Sequence, residues 1–250
     1  MQVTVADDTF AKSSYAFRYV DPAAPPSSKV FEKVLVPVIF NGPGALGSNW
    51  VTELSLRNDN LYSVEPWRPI GGSSAIVPSK PVIFGSGNAP AGLLFVVPRQ
   101  AALSLAFHAA VRDTSRADAE WATEMPVVRE GQFSASGVDL LDIPVDARFR
   151  TMVRIYSPIN PVPAYASIVH VIVYSLENGT ILRDLYSLLD PTVCSDTVSC
   201  AEHPSFSAVA DVTSGLPAGR VGVQIQGNVP LWAFATVTNN ETQHVTVVSP

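Results

Sequence analysis

Residues 50–57 read Trp-Val-Thr-Glu-Leu-Ser-Leu-Arg, and residues 149–156 read Phe-Arg-Thr-Met-Val-Arg-Ile-Tyr. In both segments, alternate positions carry an aromatic residue, a threonine and two aliphatic residues, while the positions between them are mostly charged or polar. Thr52 and Thr151 occupy the same place in the pattern. A period of two puts alternate side chains on opposite faces of a strand, so each segment predicts a half-buried β-strand. The recurrence of the pattern predicts two similar β-domains in tandem.

The flanking sequence supports this duplication. A Pro-Val pair on an apolar run precedes each segment, as Leu-Val-Pro-Val at 35–38 and Ile-Pro-Val at 143–145. Residues 231–238 also weakly echo residues 103–111, where Leu103 and the next four alternate positions are predicted to form one apolar strand face. We therefore expect an all-β chain with two tandem antiparallel, immunoglobulin-like β-sandwiches over residues 33–136 and 137–250.

The composition agrees with packed domains built from many short strands. The chain has 250 residues, enough for two domains of roughly 100–125 residues each. It is 47% hydrophobic and only 15% charged, which argues against disorder. The 21 prolines and 15 glycines are spread along the chain, as is typical of strands joined by turns.

The charge excludes some classes of partner. The formal net charge is −6, and lysines and arginines form no cluster. A nucleic-acid binder or a protein held on an anionic membrane needs a basic face, so we expect neither. No apolar run approaches the ~18–20 residues that cross a bilayer, so we expect no membrane insertion either.

Two cysteines, Cys194 and Cys200, are separated by five mostly polar residues. A local disulfide is the preferred interpretation, and it implies an oxidising compartment. Two unpaired thiols in a loop are the alternative. A zinc site that adds His203 has suitable ligand types but lacks a fourth partner at a recognisable spacing.

The N-terminal residues resemble a known module. Val-Thr-Val-Ala-Asp-Asp at 3–8 and Tyr-Ala-Phe-Arg-Tyr-Val-Asp-Pro at 15–22 are similar to the closing hairpin of an IPT/TIG domain, an immunoglobulin-like module of bacterial surface and secreted proteins. The resemblance implies that residues 1–22 are the end of such a module, followed by a Pro-rich linker at 23–32. It also implies a longer multidomain chain with its signal peptide upstream. An ordinary N-terminal hairpin that docks on the next domain is the alternative.

The second half resembles a β-sandwich module that occurs in tandem in secreted bacterial proteins. The shared features are Arg-Thr at 150–151, a Tyr-x-x-x-Asn-Gly hairpin at 174–179 and Trp-Ala-Phe-Ala at 232–235 before Asn-Asn at 239–240. This likeness covers roughly residues 138–250 and implies an extracellular β-sandwich of unknown function. It carries over no functional residue.

The motifs that suggest chemistry all have simpler interpretations. Residues 42–47 spell G-x-G-x-x-G, but a strand pattern follows where dinucleotide binding requires a helix, so we predict a hairpin loop. The four histidines are interpreted as structural. Asp139, Asp142 and Asp146 match no calcium-loop spacing and are interpreted as solvated turn residues. We predict no catalytic residue, no metal site and no cofactor.

Three aromatic residues in loop-like segments are the candidate ligand-binding residues: Tyr62, Trp67 and Trp121. Exposed rings there would stack on sugars or contact a protein, although loop aromatics also cover core edges.

The sequence favours a non-enzymatic extracellular or cell-surface module for adhesion, spacing or structural support, with an unknown protein or glycan partner. The alternatives are a glycan- or protein-binding module that uses the loop aromatics, a hydrolase whose paired carboxylates meet only in space, and an accessory domain of a secreted hydrolase.

Overall fold

The computed structural model describes residues 30–64, 82–84 (backbone only), 91–115, 122–159, 167–190 and 204–250. The first eight strands are β1 (Phe31–Val36), β2 (Asn41–Pro43), β3 (Asn49–Asn58), β4 (Val82–Phe84), β5 (Leu93–Pro98), β6 (Leu105–Asp113), β7 (Thr123–Met125) and β8 (Val128–Arg129). The next eight are β9 (Val138–Val145), β10 (Phe149–Ser157), β11 (Ser167–Ser175), β12 (Ile181–Leu189), β13 (Ser205–Val209), β14 (Gly219–Gly227), β15 (Trp232–Asn239) and β16 (Val245–Val248). One short helix, α1 (Arg99–Ala102), and 3-10 turns at Ala45–Gly47 and Glu130–Gln132 complete the described elements.

The prediction of an all-β fold is confirmed. The strands form four antiparallel sheets, with orders β5-β1-β8, β2-β3-β6-β7 (β4 also pairs with β3), β12-β11-β14-β9 and β13-β10-β15-β16. The two segments of alternating sequence are β3 and β10, which lie at central positions of two sheets.

One predicted strand face is partly wrong. Leu103 was expected to open the apolar face that continues through Leu105, but α1 and a turn precede β6. Ala101 and Ala102 are fully buried in this helix, whereas Leu103 is 83% exposed. The helix buries two small side chains and thereby turns the next residue outward.

The central strands of the two halves pair in the same register. Thr52 in β3 lies opposite Val111 in β6, and Thr151 in β10 lies opposite Val237 in β15. Two residues later, Leu54 lies opposite Ala109, as Val153 lies opposite Ala235. The duplicated sequence pattern therefore corresponds to duplicated pairing.

The correspondence extends to neighbouring strands. Pairing of β7 with β6 begins at Ala109↔Met125, and pairing of β16 with β15 begins at the equivalent position, Ala235↔Val248. On the opposite edge of the central strands, β4 pairs with β3 at positions equivalent to those at which β13 pairs with β10. The other sheet of each half also contains an equivalent antiparallel pair. This pair is β1 with β5 in the first half and β9 with β14 in the second.

The buried side chains form two apolar clusters. One lies between the sheets β12-β11-β14-β9 and β13-β10-β15-β16 and includes Val153, Ile155 and Ala235. The other combines residues of β1, β3, β5 and β6 with Tyr156 from β10, and with Trp232 and Phe234 from β15. The sheet β13-β10-β15-β16 is therefore covered on both faces.

This double coverage corrects the expectation for residues 149–156. They were predicted to form a half-buried strand, but Tyr156, on the supposedly open face, is fully buried. The reason is that this face packs against the first half of the chain.

The division into domains at residues 33–136 and 137–250 stays a prediction. Residues 1–22 lie outside the described residues, and of the predicted linker at 23–32 the last two residues belong to β1.

Candidate functional site

The residues predicted from the sequence are not gathered into one site. Tyr62 lies in the turn after β3 and is 41% exposed, and its carbonyl oxygen accepts a hydrogen bond of 2.9 Å from Asn58 Nδ2. Trp67 and Trp121 lie outside the described residues, as do Cys194 and Cys200. The loop-aromatic site and the disulfide stay predictions.

The motifs tested for chemistry show structural roles. Residues 42–47 comprise the end of β2 and the 3-10 turn that leads to β3, so the G-x-G-x-x-G sequence lies in the hairpin loop that was predicted. Asp146 pairs with Arg148 at 3.0 Å, and Asp142 pairs with Arg220 at 3.3 Å. The Arg148 side chain and backbone N–H both bond the Asp146 carboxylate and so lower its pKa.

Within the described part of the chain, no group of three His, Cys, Asp or Glu residues is arranged to hold a metal ion. None of the described helices is long and apolar enough to span a bilayer.

The two halves meet at an aromatic group that we call the junction cluster: Tyr156, Phe206, Trp232 and Phe234. Three of its members are buried, and Phe206 is partly buried. The Tyr156 ring centroid lies 5.1 Å from that of Phe206, 6.1 Å from that of Trp232 and 6.3 Å from that of Phe234. The last pair is nearly parallel, with an angle of 7° between the rings. Close aromatic contacts of this kind are worth more than their buried area alone.

Two hydrogen bonds fasten this junction to the first half. The Tyr156 hydroxyl donates to the Pro37 carbonyl oxygen at 2.5 Å, and Lys33 Nζ donates to the Pro158 carbonyl oxygen at 2.6 Å. Burial raises the pKa of Tyr156 to about 12, although the nearby Arg154 charge opposes the shift. Burial also lowers the pKa of Lys33, and the charge of Glu130 opposes that change. The Tyr156 hydroxyl and the Lys33 ammonium group each form a hydrogen bond between the two halves.

A second feature is the outer face of the sheet β12-β11-β14-β9, which we call the aromatic face. It consists of Ile168, His170, Tyr174, Tyr186 and Leu188. The exposed fractions are 56% for Ile168, 71% for Tyr186 and 51% for Leu188. Cross-strand pairing brings these side chains together, because Ile168 lies opposite Leu188 and His170 lies opposite Tyr186.

The rings on this face are held in place. His170 and Tyr186 stack with their centroids 4.6 Å apart and an angle of 4° between the planes. His170 Nε2 lies 2.6 Å from Asp184 Oδ1, so a hydrogen bond to this carboxylate on the neighbouring strand fixes the imidazole. An exposed flat ring with a carboxylate beside it is suited to stacking on a ligand.

Tyr174 lies flat against a glycine. A Cβ atom added to Gly222 would be 2.3 Å from Tyr174 Cζ, so only the absence of a side chain on β14 leaves room for the ring. Burial raises the pKa of Tyr174, and the negative charge of Asp139 raises it further.

Sequence reasoning missed the aromatic face. The almost wholly apolar run at residues 167–177 is typical of a central sandwich strand, which does not predict an exposed site. The strand is central in its sheet, but nothing in the described residues covers its outer face, so Ile168 is exposed. The Asn-Gly turn at 178–179 predicts that β11 pairs with the next strand, but it does not fix the register. A register shift between Val173 and Tyr174 aligns His170 with Tyr186, and no local signal predicts that shift.

Comparison with known proteins returns no match from protein-family models, from curated proteins or from solved structures.

Proposed function

We propose that the chain is a non-enzymatic β-sandwich module for adhesion, spacing or structural support at an extracellular or cell-surface location. The observation that carries this proposal is the junction cluster. Tyr156, Trp232 and Phe234 belong to the second half of the sequence but pack in the apolar cluster of the first half. Two sandwiches that share buried aromatic residues resist bending at their boundary, which is what a spacer requires.

The energetic argument supports a stiff connection. Burying an aromatic side chain contributes about 2 kcal/mol or more, so separating the halves would expose several such residues at once. It would also break the hydrogen bonds of Tyr156 and Lys33 across the boundary. Ordinary contacts between domains of one chain are more polar and permit relative motion.

Single-molecule stretching tests this proposal. If the halves resist load as one unit, residues 30–250 should unfold in one step that releases about 75 nm of chain, at up to ~3.6 Å per residue. Phe234→Ala should split that event into two shorter steps, because it weakens the junction cluster. Two steps in the unmodified protein would rule out a stiff spacer.

The finer identity belongs to the same proposal. We infer tandem Ig-like sandwiches of a secreted bacterial protein, preceded by the end of an IPT/TIG-like module and carrying a Cys194–Cys200 disulfide. The resemblances of residues 1–22 and 138–250 support this inference.

Mass spectrometry after thiol alkylation tests the predicted compartment. Protein secreted into an oxidising compartment should take up no alkylating reagent until it is reduced, and two equivalents afterwards. Uptake of two equivalents before reduction would contradict the disulfide.

A glycan-binding role is the second candidate, and the aromatic face favours it. Tyr186 is 71% exposed yet held rigidly on His170, and Asp184 provides a hydrogen-bond acceptor next to the ring. Tyr186→Ala should abolish retention on immobilised polysaccharides, whereas Leu103→Ala, at an exposed apolar residue of the other half, should preserve it. Equal retention of the two variants would exclude this face as the binding site.

A further inference from the structure

A cavity of about 310 Å³ lies between the two halves, next to the junction cluster. We call it the junction cavity. Its apolar lining comes from both halves: Val38, Phe40, Trp50, Met125, Met152 and Val245. A mostly apolar hollow with a few polar groups at its edge is the usual form of a small-molecule site.

Arg150 projects into this lining from β10 and is held by neutral groups. Its Nη1 donates to Asn240 Oδ1 at 2.8 Å, and its Nη2 donates to Gln243 Oε1 at 2.8 Å. Gln243 is only 5% exposed, and its own Nε2 donates to the Asn240 carbonyl oxygen at 2.8 Å. The guanidinium is therefore fixed in position by neutral acceptors.

Most of the other described arginines are paired with carboxylates. Six have a carboxylate oxygen within 3.6 Å: Arg57, Arg99, Arg112, Arg129, Arg148 and Arg220. Among the residues that the structure describes, no carboxylate forms an ion pair with Arg150. A partly buried charge without a counter-charge is costly, and an anionic ligand in the cavity would relieve that cost.

We propose that the junction cavity binds a small amphiphilic anion, with its apolar body between Trp50 and Met152 and its anionic head on Arg150. Thr236 and Thr238 also line the cavity and supply hydroxyl groups for the head. Asp211 lines the cavity too and is exposed, and its charge opposes the binding of an anion.

The volume sets the size of the ligand. A dry cavity of about 150 Å³ holds benzene, so about twice that volume holds a body of about two fused rings or a short alkyl chain. This inference is independent of the proposed support function, since a ligand site between the halves requires only the cavity and Arg150.

NMR titration tests the site directly. The anionic probes are benzoate, 2-naphthoate, octanoate and octyl sulfate, and 2-naphthamide and octanamide are their neutral counterparts. At least one anion should shift the indole N–H signal of Trp50 at concentrations below about 5 mM and bind more tightly than its neutral counterpart. If none of the anions shifts that signal, or if the neutral amides bind equally well, the proposal is overturned.

Charge variants locate the binding group. Arg150→Gln should weaken binding of the best anion by about tenfold, because a charge-assisted hydrogen bond is lost. The matched control Arg148→Gln, two residues away and outside the cavity, should leave the affinity unchanged. Asp211→Asn should tighten binding a few-fold. If Arg150→Gln does not fold, the affinity of Asp211→Asn tests whether the anion binds in this cavity. Unchanged affinity in both Asp211→Asn and a folded Arg150→Gln would refute the assignment.

Discussion

At the scale of single residues, the protonation state of the Tyr156 phenol affects the stability of the fold. Its pKa is raised to about 12 by burial, whereas an exposed tyrosine ionises near pH 10. Above pH 10 the unfolded chain loses the phenolic proton and the folded chain keeps it, so stability falls as pH rises. The expected slope from this residue is about −1.4 kcal/mol per pH unit between pH 10 and 12.

Urea unfolding at several pH values above 9 measures that slope. Tyr156→Phe should remove it and should cost about 1–2 kcal/mol at pH 7, because the Pro37 carbonyl oxygen then loses its hydrogen-bond donor. Tyr62→Phe is the control for loss of an exposed phenol and should leave the alkaline slope in place. An unchanged slope in Tyr156→Phe would show that this phenol does not control the alkaline transition.

Gly137 provides a second prediction for a single residue. Its φ is +104°, and an added Cβ atom would lie 2.7 Å from the backbone carbonyl oxygen of Ile225. Gly137→Ala should therefore destabilise the protein by about 2 kcal/mol or more, measured by urea unfolding. Gly131→Ala is the matched control, since no atom lies within 4 Å of its added Cβ, and it should change stability by less than about 0.5 kcal/mol. Equal effects of the two substitutions would refute this account.

At the scale of elements, Arg183 braces one strand against a turn. Arg183 lies in β12, and its Nη1 donates to the carbonyl oxygens of Asp211 at 3.2 Å and Val212 at 3.0 Å, while its Nη2 donates to that of Ser214. Arg183→Gln should cost about 1–3 kcal/mol and speed hydrogen exchange at residues 210–216. Arg148→Gln, which breaks an exposed ion pair with Asp146, should leave hydrogen exchange at residues 210–216 unchanged. Unchanged exchange at residues 210–216 in Arg183→Gln would contradict the brace.

The strands that the sequence predicted best are those whose alternation reflects a single buried face. Leu54 and Leu56 in β3 follow the pattern and are 2% and 0% exposed. Prediction failed where the surroundings of a strand decide burial. Nothing local in residues 149–156 shows that a second sheet covers Tyr156, and nothing local in β11 shows that its outer face stays open.

The candidate sites depend on contacts that only the folded chain creates. The junction cluster and the junction cavity each combine residues from strands distant in sequence, so no spacing pattern predicts them. The loop aromatics were chosen because their segments are rich in turn residues, and the site that they would form stays a prediction, since Trp67 and Trp121 lie outside the described residues. The duplicated register was more accessible, since the two copies of the alternating segment share their threonine position.

At the scale of the whole molecule, both halves contribute residues to one buried apolar cluster. A substitution that destabilises one half should therefore also destabilise the other. Leu56 in β3 is fully buried in the cluster that also contains Phe234, so Leu56→Ala should cost about 2–5 kcal/mol. If both halves unfold together, amide protection of Val223 and Ile225 in β14, at the core of the other cluster, should fall by the same free energy. Native-state hydrogen exchange measures this change residue by residue.

The control for this long-range effect is Leu103→Ala. Leu103 is 83% exposed, so its truncation should alter protection in neither half. Protection of β14 that stays at its original value in Leu56→Ala would mean that the halves open separately, and the junction cluster would then be a contact between independent units. An equal loss in β3 and β14 would show that the buried aromatic side chains of β10 and β15 transmit stability across the boundary. That transmission is the physical property on which a stiff two-sandwich spacer depends.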